Sequence, residues 1–196
     1  MRSAALLLLL AGCASLARAI DPPIALLARW QTATPAEIAA EPVACPEGHP
    51  ACARLHARHG EACLSLALAR RAPGAACPAE ATHLPCAAAS YAAARALAPD
   101  PRLAAGEAQA RLCLAELSPP AMGAAEAARA AVAAAAAGSA LLGARAALVA
   151  ARPGAGTDLQ RCAAAQAGLA LAPPASREAA DLARRLASIP ACGATP

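Results

Sequence analysis

Residues 86–101, CAAASYAAARALAPDP, carry the reading on which the fold turns. Cys86 to Ala98 is a run of strong helix formers, Pro99 ends it, and Asp100-Pro101 is an N-cap followed by proline at the first helical position. Within the run Ala87, Tyr91 and Ala94 fall on one face. The next helix is predicted to reach Leu117, with Leu103, Ala110, Leu114 and Leu117 facing inward and Glu107 to Arg111 as an i,i+4 pair on another face. Two antiparallel helices joined by a tight turn follow.

The same punctuation recurs on both sides. Thr34-Pro35-Ala36-Glu37 is a capping box, and Thr157 with Gln160 forms a second one. Ser118-Pro119-Pro120, Gly138-Ser139, Pro153-Gly154 and Pro173-Pro174 are turns. Between them lie helices over 121–137, 139–152, 157–172 and 176–189, the last with a Leu182, Leu186, Ile189 stripe. Upstream, 50–59 is predicted as a short helix broken at Gly60 and 61–71 as a second, before a turn-rich stretch from Ala72 to Pro85. The expected fold class is all-α, antiparallel hairpins stacked and disulfide-stapled, with an irregular helical bundle as the alternative.

About a third of the 196 residues are Ala, while Lys, Asn and Phe are absent. Ala favours helix but has little area to bury, so the core must be thin and closely packed. All seventeen basic residues are arginines, spread among thirteen acids for a net charge of +4. No basic patch with stacking aromatics exists, which excludes nucleic acid as the expected partner. The apolar run Ala130 to Ala144 is too short to span a bilayer.

Ala87, Tyr91, Ala94 and Pro99, with the ending Ala94-Arg95-Ala96-Leu97-Ala98-Pro99, resemble the second helix of a tetratricopeptide repeat. Cysteines on paired helices also resemble Sel1-like exported repeat proteins. The resemblance spans about Cys52 to Ile189 and implies a groove that binds extended peptides. Tyr91 and Arg145 are the groove candidates. Arg145 interrupts the apolar face of its helix, so its charge must be paired or must reach into a groove.

Met1-Arg2-Ser3 and the apolar run to Ala11 form an export signal, and Leu10-Ala11-Gly12-Cys13 resembles a bacterial lipobox whose Cys13 becomes lipidated. The alternative is cleavage after Ala17-Arg18-Ala19, giving a secreted or periplasmic soluble protein. The predicted organisation is a signal over 1–12 (alternatively 1–19), a tether over 13–44 and a cysteine-rich helical cap over 45–85. A repeat region over 86–189 and a tail over 190–196 complete it.

Removing Cys13 leaves eight cysteines, suited to four disulfides in an oxidising compartment. Cys86 and Cys113 stand symmetrically about the Pro99-Asp100 turn and are predicted to pair. Cys162 is expected to join Cys192, leaving Cys45, Cys52, Cys63 and Cys77 to pair among themselves. The rival reading of this region is a zinc or copper set of Cys52, His56, His59 and Cys63, each pair at i,i+4 spacing. Against it, no Cys-x-x-Cys anchors the set and exported thiols oxidise.

No zincin helix, no Gly-x-Ser-x-Gly and no phosphate loop is present, so no catalysis and no cofactor are expected. The sequence reads as an envelope protein, membrane-anchored through lipid on Cys13, that binds a protein or peptide. A metal-binding or redox protein using Cys45 to Cys63 is the alternative.

Overall fold

The computed structural model describes residues 21–193, so the stretch read as an export signal, with Cys13, lies outside the described residues. Among the described residues the chain is all helix and connection: α1 (Pro22–Arg29), α2 (Pro35–Ala40), α3 (Cys52–Leu68), α4 (Leu84–Leu97) and α5 (Pro101–Leu117) come first. They are followed by α6 (Pro120–Ala136), α7 (Ala140–Ala150), α8 (Asp158–Leu171), α9 (Arg177–Ser188) and the short α10 (Pro190–Gly193). None is long and apolar enough to cross a membrane.

The helix ends follow the local signals. Both capping boxes form, Thr34 with Glu37 and Thr157 with Gln160. Gly138, at φ +66, closes α6: its N–H donates to the Ala135 carbonyl and that of Ser139 donates to Ala134, two bonds that satisfy orphaned carbonyls. Ser139 then caps α7 through Leu142 N–H. One turn is costly: Ala175, between α8 and α9, has φ +60, a left-handed conformation that L side chains resist. Ala175→Gly is expected to stabilise the protein by about 0.5–1 kcal/mol, read as a higher urea midpoint at unchanged slope.

Consecutive helices from α3 to α9 pack pairwise, and α3 also touches α5, α5 touches α7 and α7 touches α9. No comparable contact joins α4 to α6 or α6 to α8. The odd helices therefore form a continuous layer, backed by the even ones. Its core is a series of small clusters, such as Leu112 with Ala127, Ala130, Ala146 and Val149, and Leu182 with Ala144, Ala165 and Ile189.

The helix break expected at Gly60 does not occur; α3 runs unbroken from Cys52 to Leu68. Tyr91 of α4 supplies the reason, because its ring is wedged between Gly60 and Gly106. A Cβ at Gly60 would meet Tyr91 Cγ at 3.1 Å, and one at Gly106 would meet its Cζ at 2.5 Å. A mid-helix glycine costs about 1 kcal/mol against Ala, and burying an aromatic ring against bare backbone offsets it. Tyr91 is thus a core residue, 6% exposed, with burial and then the charge of Glu61 pushing its hydroxyl pKa up to about 12.

Leu117, read as inward, is instead 38% exposed at the end of α5. Glu107 and Arg111 do pair at i,i+4, at 2.7 Å, but Glu107 is buried rather than on a face away from the core, because α5 is covered by α4 on one side and α6 on the other.

Candidate functional site

An open groove of about 800 Å³ lies on the odd-helix layer, between α7 and α9. Leu141, Arg145 and Leu148 recur along one face of α7, with Arg152 just past its end, and Arg177, Asp181, Arg184 and Ser188 along one face of α9. Glu116 of α5 and the loop residues Gly74 to Ala76 close one end. Five arginines and three carboxylates line it, a positive excess.

The partners of those arginines differ. Arg145 donates from Nη2 to Glu116 Oε1 at 2.9 Å. Asp181 takes Arg177 at 3.7 Å and also Arg184. Arg152 donates to the Glu116 backbone carbonyl at 3.2 Å, but no carboxylate pairs with it among the described residues, and none pairs with Arg185. Two guanidinium groups in the groove therefore keep charge available for an incoming anion. Of the two groove candidates, Arg145 lines this groove and is paired with Glu116, whereas Tyr91 is buried between α3, α4 and α5. Arg152 and Arg185 were missed, because a half-buried arginine on a helix or in the turn after it carries no sequence signal of which neighbour it lacks.

The loop that closes the groove is pinned from below. Cys77 is bonded to Cys113 of α5, and Gln109 Nε2 donates to the Ala76 carbonyl at 3.2 Å. Arg145 Nη2 stands 3.9 Å from Cys77 Sγ.

The four disulfides are Cys45–Cys52, Cys63–Cys86, Cys77–Cys113 and Cys162–Cys192. The expected Cys86–Cys113 bridge is not formed, nor do Cys63 and Cys77 find partners within the first four cysteines. Symmetry about the turn puts Cys86 and Cys113 at one height on their helices, but it says nothing of azimuth. Cys86 faces α3, whereas Cys113 faces the loop.

The Cys52, His56, His59, Cys63 set is not assembled either. Pro46 and Pro50 keep residues before Cys52 off the helix, and Cys52 turns back to Cys45. Among the described residues one group of three ligand-bearing side chains does come together: His59, Cys63 and Cys86, with ligand atoms all within 4.8 Å. His59 Nδ1 lies 2.8 Å from Ser90 Oγ and 3.6 Å from Cys86 Sγ, and its ring stacks on Trp30 at 6.0 Å between centroids. Burial holds the His59 pKa below the usual imidazole value against the raising effect of a hydrogen bond to the Ala39 backbone; for His56, burial and then the charge of His59 both lower it. Trp30 itself is buried and donates from Nε1 to Glu41, anchoring α1 and α2 on α3.

Comparison with protein-family models, with curated proteins and with solved structures finds no match to this chain.

Proposed function

We propose that this is an exported, lipid-anchored helical-repeat protein that binds an acidic peptide or protein segment at the cell envelope, without catalysis. The observation that carries the reading is the arginine-lined groove on the odd-helix layer, with Arg152 and Arg185 lacking carboxylate partners among the described residues. The alternation of a continuous odd layer with backing even helices supports kinship with tetratricopeptide or Sel1-like arrays. Four disulfides suit an oxidising compartment. The Leu10-Ala11-Gly12-Cys13 stretch supplies the anchor.

Binding is tested by fluorescence anisotropy with a labelled peptide of repeated Asp-Leu-Gly units against its Lys-Leu-Gly counterpart. The acidic peptide is expected to bind, more weakly as salt rises. Arg152→Glu and Arg185→Glu are each expected to weaken it about tenfold, the worth of one charge-assisted hydrogen bond. Equal binding of both peptides, or unchanged binding in the double variant, would remove the groove from consideration. For the anchor, Cys13→Ser should release the protein from the membrane fraction.

A further inference from the structure

We propose that the Cys63–Cys86 disulfide is the masked form of a metal site: once a dithiol reduces it, the two thiolates and the imidazole of His59 bind one zinc ion. This is independent of the groove.

The three groups sit on rigid elements. His59 and Cys63 are one turn apart on α3, and Cys86 is in the first turn of α4. Zinc–sulfur and zinc–nitrogen bonds of about 2.3 and 2.0 Å place ligand atoms of one tetrahedral ion roughly 3.5–3.8 Å apart. The Cys86 Sγ to His59 Nε2 separation is already 3.9 Å, close to that spacing. The two sulfurs must move apart, by rotation about their side chains, within a group whose ligand atoms all lie within 4.8 Å. Cys63 is fully buried while Cys86 and His59 are partly exposed, so the ion has a way in and its fourth position opens to water. Ser90, 2.8 Å from Nδ1, and the Trp30 ring hold the imidazole in place and leave Nε2 for the ion.

The chemistry balances without another reactant. The dithiol gives up two electrons and two protons and closes to its own disulfide, while the Cys63–Cys86 bond breaks to two thiols. Zinc then displaces both thiol protons to solvent. In the oxidised protein the site is locked.

The test uses the full chain, reduced under argon with a phosphine, with cobalt(II) as the probe and zinc as competitor. Expected are thiolate-to-cobalt absorption saturating at one equivalent, loss of emission from Trp30, the sole tryptophan, and reversal by zinc. The oxidised chain should show none of these. Both signals should be lost in C63S/C86S, and the emission response in His59→Gln. No absorption in the reduced wild type, or the same absorption in C63S/C86S, overturns the proposal. Should reduction loosen the fold, circular dichroism of the same samples decides. Zinc is expected to raise the melting temperature of the reduced wild type and not of C63S/C86S, and an equal rise in both overturns it.

Discussion

Glu107→Ala is expected to lower the unfolding free energy by about 3 kcal/mol, the low end of the range for breaking a buried ion pair from one side. Glu107 is 3% exposed and accepts from Arg95 Nε of α4 at 2.8 Å and from Arg111 Nε at 2.7 Å. Arg111 continues through Nη1 to Glu126 of α6 at 3.0 Å, and Arg129 joins there. The network centred on Glu107 thus ties three successive helices. Removing Glu107 takes a partner from two guanidinium groups, but Arg95 is partly exposed and rehydrates, while Arg111 keeps Glu126. Those escapes set the value at the low end. Urea unfolding followed by circular dichroism measures it, and a loss under about 1 kcal/mol would mean that the network behaves as a surface one. Arg95→Ala, removing the wetter partner, should cost less.

Removing the Cys77–Cys113 bridge with paired serines is expected to cost about 4 kcal/mol. It closes the longest loop of the four, a separation of 36 residues, and the chain-entropy account rises with loop length. For Cys45–Cys52, separated by 7, the same account gives about 2.5 kcal/mol. The contrast is the test: equal losses for the two variants would reject loop closure as the cause. These are large fractions of a typical domain stability of about 5–15 kcal/mol, and an Ala-rich core offers little to replace them. The bridge has a second consequence, because it holds Gly74 to Ala76 against α5 at the end of the groove. Peptide binding should therefore weaken in C77S/C113S under conditions where it remains folded.

Helix boundaries were legible wherever the signal is confined to one turn of chain. Asp100-Pro101, the two capping boxes and Gly138-Ser139 lie where the sequence places them, since a cap satisfies N–H or carbonyl groups within four residues of itself. Gly60 misled for the complementary reason: its cost is local, and what offsets it, the Tyr91 ring, is thirty-one residues away. Tyr91 read equally well as a groove aromatic or a core aromatic, because a small–aromatic–small face shows which residues point together and not toward what. In the candidate site, Arg145 stood out as a charge on an apolar face, while Arg152 and Arg185 did not. Whether an arginine has a free charge depends on which carboxylates other helices bring beside it.

By itself the sequence determined an all-helical fold and most of its turns. Tertiary structure alone decided the azimuth of each helix: that Cys86 meets Cys63, that Cys113 meets Cys77, that Glu107 is buried, and that α7 and α9 share a groove. The physical reason is range. Helix formation and capping are settled by hydrogen bonds a few residues apart, whereas the rotation of a helix about its axis is set by packing against neighbours, and in an Ala-rich chain nearly every face is apolar enough to be buried.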